Sequence, residues 1–214
     1  MTITLDTLLV SDTHFDHRHI EKFCPSRQKI IELSNKSNSP EDILFQRIWE
    51  ENEGKTIFHL GDFAFKGINK YKERLEKTNT ILLKGNHDKK IDKHYLYNGF
   101  SEVIEGINIF QHDMTFKTIE SLPSFCNAYI KEFNGTKVFF SHFPLFHKDK
   151  HDMKKPFYKG IEIMENLYEE LKCDINIHGH THEQNSIFKN SFNVSVENID
   201  FKPISIREIL EYKG

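Results

Sequence analysis

The chain has 214 residues, 37% of them hydrophobic and 19 of them Phe, a composition that supports a packed interior rather than disorder. Its formal charge of −3 provides no basic surface of the kind that drives bulk nucleic-acid binding. Three cysteines (Cys24, Cys126 and Cys173) form no CxxC pair and read as small core residues in a reducing compartment.

In chain order, the first apolar run, 7–10, leads directly into Ser11-Asp12-Thr13-His14. Helices are predicted over 26–33 and 40–51. Ser39 is placed to cap the second, with Pro40 at its first position and Glu41 and Asp42 in its first turn. Ile43, Leu44, Ile48 and Trp49 recur there at helical spacing. A second apolar run, 56–60, leads into Gly61-Asp62. A helix over 68–76 separates it from a third run, 81–84, which leads into Gly85-Asn86-His87-Asp88. Alternation of strand and helix of this kind predicts parallel neighbours in a layered α/β sheet.

The second half is richer in strands. Residues 112–126 read as a loop. Residues 127–133, a turn at Asn134-Gly135 and 137–141 read as a hairpin whose second arm leads into Ser141-His142. A long loop over 143–159 and a helix over 160–172 follow. A fifth apolar run, 175–177, leads into His178-Gly179-His180-Thr181-His182, and 186–188 with 192–196 read as a second hairpin about Lys189-Asn190. No repeat or linker interrupts the chain, so one domain over 1–214 is expected.

Five apolar runs therefore each end in metal-binding residue types. Ligands in open α/β sheets gather at the carboxyl ends of the strands, and all five blocks lie at such ends. Residues i and i+2 of an extended segment project to one side, which pairs Asp12 with His14 and His180 with His182. Glycine precedes Asp62, Asn86 and His180 where tight backbone is expected. The donor set is two carboxylates, one amide oxygen and up to four imidazoles without thiolate. Such a set favours Mn, Fe, Co, Ni or catalytic Zn over a structural zinc site. Seven ligands exceed one ion and suit two that share a carboxylate, a centre able to hydrolyse a phosphate ester. Two divalent ions would also turn the local charge balance positive, which attracts phosphate.

The ordered pattern D-x-H, GD, GNHD, H and GHxH, running from Asp12 to His182, closely resembles the calcineurin-like metallophosphoesterases. The resemblance implies an α/β fold of two packed mixed β-sheets flanked by helices. It implies one metal held by Asp12, His14, Asp62 and His182, and a second held by Asp62, Asn86, His142 and His180, with Asp62 bridging. Asp62, Asn86 and His87 then form the catalytic group, with metal-activated hydroxide as nucleophile and His87 contacting the phosphate and protonating the leaving oxygen. The two divalent ions are expected to be Mn, with Fe, Ni, Co or Zn as alternatives. Phe65, Lys66 and Gly67 stand where protein phosphatases of the superfamily carry an acidic residue, arginine and glycine. That departure argues against a protein phosphatase and leaves His87 to be oriented otherwise, through Asp88 or a backbone carbonyl. The short chain leaves no room for the capping region of repair nucleases and looks more like the small stand-alone phosphoesterases of bacteria and phages.

The expected activity is that of a phosphodiesterase on a small nucleotide-type substrate. A phosphomonoesterase, a nuclease acting on nucleic acid, and a non-catalytic metal-binding scaffold are the alternatives. The opening Met1-Thr2-Ile3-Thr4 has no basic lead, and no run of about 18 apolar residues occurs, so a cytoplasmic protein without a membrane partner is expected. Only Ala64 and Ala128 are alanine beside abundant Lys, Ile, Asn and Phe, the codon bias of an AT-rich bacterial or phage genome.

Other residues carry two readings. His17 either reaches the cleft or lies on a helix surface, and His178 reads as a satisfied strand histidine. His59 reads as core, whereas His19, His94 and His112 suggest no partner. Asp88 either supports the site or lies at the surface. Lys148, Lys150, Lys154, Lys155 and Lys159, set against Asp149 and Asp152, either grip a nucleic-acid strand or form a solvated face. Phe143, Phe146, Phe157 and Tyr158 either stack on a base or anchor their loop to the core.

Overall fold

Strand side chains alternate between two faces, and in this chain both faces of nearly every central strand are apolar. A computed structural model describes residues 3–111, 114–119, 126–147, 157–184 and 188–213. Its first sheet contains β1 (Leu8–Val10), β2 (Thr56–His59), β3 (Asn79–Leu83), β4 (Glu102–Ile104) and β11 (Ile204–Ser205), in the order β11-β1-β2-β3-β4. All pairs are parallel except β11 with β1. The second sheet contains β5 (Ile107–Gln111), β6 (Met114–Ile119), β7 (Ala128–Phe133), β8 (Thr136–Ser141), β9 (Ile175–His178) and β10 (Ser191–Asn193), in the order β10-β9-β8-β7-β5-β6. It is mixed: β7 with β8 and β5 with β6 are antiparallel, the remaining pairs parallel.

The alternation divides the interior into three layers. Leu9, Phe58, Ile81, Leu83, Phe140 and Ile177 meet between the sheets. Leu8, Val10, Ile57 and Leu82 point the other way, onto helices α2 (Gln28–Leu33) and α3 (Pro40–Ile48) and the fully buried Phe45 and Trp49. Beneath the second sheet, Ile107, Ile130 and Phe139 pack on Ile161, Met164 and Tyr168 of α6 (Tyr158–Glu170). Two mixed sheets flanked by helices follow from this patterning. The remaining helical segments among the described residues are the short helices α1 (Ile20–Phe23), α4 (Lys72–Leu75), α5 (Asp92–Tyr97) and α7 (Ile206–Lys213) and the 3-10 turns Pro25–Arg27, Glu50–Asn52 and Ile68–Tyr71.

Ser39 caps α3 as its position predicts: its hydroxyl accepts from the Asp42 N–H at 3.1 Å while Asp42 reaches back to the Ser39 N–H. The first hairpin is present as β7 and β8. The first arm of the second falls mostly on Ser186 and Ile187, which lie outside the described residues. Its second arm, Ser191–Asn193, pairs in parallel with β9 at the edge of the second sheet. Residues 112–126 are not all loop, since Met114–Ile119 pairs antiparallel with β5. No described helix is long and apolar enough to cross a membrane.

Candidate metal centre

Each expected donor sits just past the carboxyl end of its strand, in backbone that is bent sharply rather than extended. Asp12, His14, Asp62, His180 and His182 all have positive φ, between 47° and 70°. Non-glycine residues adopt this left-handed conformation at a cost, and such strain concentrates at functional sites. Extended i, i+2 geometry is therefore absent at these donors. Asp12 and His14 do converge, with Oδ1 and Nε2 3.7 Å apart. His180 and His182 instead diverge: His180 lies against His142 (ring centroids 5.2 Å) and His182 stacks on His14 (5.0 Å).

Close backbone approach brings the blocks together. A Cβ on Gly61 (φ 97°) would lie 2.6 Å from the Gly85 nitrogen, so the ends of β2 and β3 touch only because both residues are glycine. The same proximity carries Asp62 to the Asn86-His87 turn, where the His87 N–H donates to Asp62 Oδ1 at 2.8 Å.

Both aspartates are tied by one oxygen and open at the other. Asp12 Oδ2 accepts from the His180 N–H at 2.8 Å and the Ser195 hydroxyl at 2.9 Å, whereas its buried Oδ1 has no hydrogen-bond partner. Asp62 Oδ2 faces three imidazole nitrogens, those of His142 at 3.4 Å, His14 at 3.6 Å and His87 at 3.9 Å. Ligands about 2.1 Å from an ion stand about 3.0–3.4 Å apart, so this spacing fits donors arranged around a cation. His142 makes the need explicit. Its Nδ1–H is committed to the Leu60 carbonyl at 2.8 Å, which aims the Nε2 lone pair at Asn86 Oδ1 (3.0 Å) and Asp62 Oδ2. Three acceptors converge, and a proton or a metal ion reconciles them. The same demand holds the His142 imidazole up at about 9: burial opposes its charge, but the Asp62 carboxylate outweighs that cost. Asp12 and Asp62 are likewise held well below the usual carboxylate range despite complete burial, chiefly through His14 and His142 respectively.

Asp12, His14 and His182 form one group whose donor atoms could hold an ion, and Asp12, Asp62 and His142 form another. A third, unanticipated group joins Cys24, His182 and Glu197. All three cysteines are buried and free, but Cys24 adjoins the cleft rather than lying remote in the core.

Several supporting residues escaped the sequence reading. Glu197 Oε1 accepts from His182 Nδ1 at 3.1 Å, leaving Nε2 for the cleft, and from Arg27 Nε at 2.7 Å. Arg27, buried, also donates to the carbonyls of Asp12 and Thr13. A signal for Ser195 and Glu197 was present, because Phe192-Asn193-Val194 leads into them in the same grammar as the five blocks. Nothing local marks Arg27. Asp88 is buried and accepts from the backbone N–H groups of Asp62 (2.6 Å), Gly85 (2.9 Å) and Phe63 (3.3 Å); burial and the nearby Asp62 push its carboxyl up to about 6. It braces the Asp62 turn and does not orient His87.

His87 lies at the rim with a side chain 37% exposed, packed on Phe65 at 4.6 Å and edge-on to His14 at 5.5 Å. Burial and His14 depress its pKa, partly offset by Asp62. The residue in place of the acidic partner of protein phosphatases thus touches the same histidine, through a ring face.

His59 is core, as expected. Its Nδ1 accepts from the Gly61 N–H and its Nε2 meets the Thr13 hydroxyl at 3.0 Å, and burial drives its pKa down to about 3. His178 is buried and only half satisfied, since Nδ1 contacts the Gly179 carbonyl and Nε2 has no hydrogen-bond partner. His17 reaches the cleft mouth, 5.9 Å from His14. His19 lies 3.9 Å from Glu21, and His94 packs edge-on to Tyr95. Phe143 is fully buried, stacked on Phe157 and edge-on to His180, while Phe146 packs on Tyr168 and Phe188, so these rings anchor the loop. Lys159 is exposed on α6; His112, Lys148, Lys150, Lys154, Lys155, Asp149 and Asp152 lie outside the described residues.

A carboxylate–imidazole cluster at the strand ends of a two-sheet α/β sandwich defines a metal-dependent hydrolase. Residues 5–184 match the family model for calcineurin-like phosphoesterases, and the chain belongs to that family. Phosphate-ester hydrolysis with divalent metals is the family chemistry. Among solved structures, the chain is similar to a protein of unknown function from Aquifex aeolicus, at 26% identity and a TM-score of 0.66 over 96% of this chain and 98% of that one. A conserved uncharacterized protein from Streptococcus pneumoniae, named as a predicted phosphoesterase, matches at 14% identity and a TM-score of 0.36, over 90% of this chain and 72% of that one. The comparison with curated proteins found no match.

Proposed function

We propose that this chain is a binuclear phosphoesterase acting on a small nucleotide-type diester. Asp12, His14, Asp62 and His182 would hold one divalent ion, and Asp62, Asn86, His142 and His180 the other, with manganese the first expectation. The observation that carries this reading is Asp62 Oδ2, which faces His142, His14 and His87 at 3.4–3.9 Å while Oδ1 is tied to the His87 N–H. A carboxylate oxygen with imidazoles on several sides is suited to bridging two ions. Divalent ions in such a pair supply Lewis-acid polarisation of phosphoryl oxygens and a nucleophile at neutral pH.

The chain's own residues do the rest. Asp88 and Arg27 hold the strained turns, so the donors are arranged before substrate arrives. Glu197 fixes the ring of His182. His87, at the rim, contacts a phosphoryl oxygen and gives its proton to the leaving alkoxide as the ester P–O bond breaks and water's oxygen joins phosphorus. The Asn86 amide sits beside His142 at the same rim and orients the phosphoryl group.

The test is a panel of bis- and mono-p-nitrophenyl phosphates and nucleotides with Mn, Ni, Co, Zn and Mg. Turnover of the diester with at least one metal is expected. No turnover with any metal would overturn the enzyme reading, and strong preference for the monoester would overturn the diester reading alone.

A further inference from the structure

Among residues whose side chains are described, Phe23 and Phe65 are the only exposed phenylalanines, at 73% and 41%, and both lie against His17. Phe65 meets His17 edge-on with centroids 4.4 Å apart, and Phe23 meets it at 6.0 Å with a 90° interplanar angle. Phe65 also packs on His87 at 4.6 Å and lies 5.5 Å from His14. A continuous line of rings therefore runs from the metal centre outward: His87, Phe65, His17, Phe23. Core formation does not require these two phenyl groups, since each leaves much of its surface in water.

The line is built rather than incidental. The Phe65 N–H donates to the Phe15 carbonyl at 2.9 Å, and Lys70 pairs with Asp16 at 2.6 Å. A Cβ on Gly67 would strike the Asp16 carboxylate, so the Phe65 loop and the His17 loop interlock. Both aromatic walls are thus held in place before a ligand arrives, which lowers the ordering cost of binding.

We infer that Phe65, His17 and Phe23 form a stacking shelf for the nucleobase of a nucleotide whose phosphate lies in the centre at His14, Asp62 and His87. The inference rests on the phosphoesterase reading above and adds the group that the ester carries. Every nucleobase presents a flat face to such rings, and stacking on an aromatic side chain improves binding by about tenfold or more per base. The shelf begins at His87, the residue placed to protonate the leaving oxygen, so the base would belong to the leaving nucleoside.

The test compares binding of AMP, ribose 5-phosphate and inorganic phosphate to the Mn-loaded protein by calorimetry, for the wild type and for Phe23→Ala, Phe65→Ala and Phe65→Trp. Expected is AMP binding at least about tenfold tighter than ribose 5-phosphate, a preference reduced severalfold in Phe23→Ala and Phe65→Ala and kept in Phe65→Trp. Phosphate binding in Phe23→Ala should match the wild type. Equal affinity for AMP and ribose 5-phosphate in the wild type would overturn the shelf while leaving the phosphate site standing. An AMP preference unchanged in both alanine variants would also overturn it. Binding of none of the three ligands, together with no diester turnover, would overturn the phosphoesterase reading and the shelf with it.

Discussion

Arg27 and Glu197, 170 residues apart in the chain, are joined by a 2.7 Å ion pair with both side chains buried. The pair links the Asp12–His14 turn, whose carbonyls Arg27 grips, to His182, whose ring Glu197 holds. Glu197→Gln should lower metal affinity about 10–100-fold, the usual effect of losing a carboxylate behind a ligating histidine. Metal titration checks this, and an unchanged affinity would mean that packing alone orients His182. Arg27→Met leaves a buried carboxylate short of its cation and should cost about 3–5 kcal/mol in urea unfolding.

Asp62→Asn removes the charge from the oxygen that three imidazoles surround. Diester turnover should vanish, and bound metal measured by elemental analysis should fall by at least one ion per chain. A fully active variant would sink the shared-carboxylate arrangement.

His87→Ala should separate chemistry from metal binding. A general acid contributes about 10²–10⁴-fold to rate, so kcat should fall by that order while metal content stays near the wild-type value. Loss of metal in step with rate would make His87 structural instead.

Gly85→Ala tests the close approach of the β2 and β3 ends. The added Cβ would strike the Asp62 carboxylate and lie 2.7 Å from the Asp62 nitrogen. Metal binding should weaken along with stability, by about 1–3 kcal/mol for an overpacked site. Wild-type metal affinity and melting temperature together would show that the turn can yield.

Adding manganese to metal-free protein should raise its melting temperature, because ions bind the folded donor cluster and not the unfolded chain. At 100 times Kd, one site contributes about 2.7 kcal/mol, and at about 2–4 °C per kcal/mol for a chain of this size the shift is about 5–10 °C. Calorimetry with and without chelator reads it directly; no shift would argue that the cluster holds no ion.

The sequence by itself determined what is local. Each expected donor directly follows a short apolar run of mostly β-branched, aromatic or leucine residues, a composition that favours a strand, so the donors could be placed at strand ends from local sequence. Parallel order in the first sheet followed from strand–helix alternation, and Ser39 announced its helix through side-chain and backbone groups three residues apart. The tertiary structure alone decided the rest, because it depends on which distant segments meet. β10 pairs in parallel with β9, which the sequence did not announce, as a period-two pattern defines a strand's faces but not its neighbour. His180 and His182 parted toward His142 and His14 because left-handed backbone, stabilised by contacts from other loops, overrides extended geometry. Arg27 met Glu197, and Phe65 met His87, across separations that no spacing rule spans: the energy of a contact is set by distance and by access to water, and only the folded chain has either.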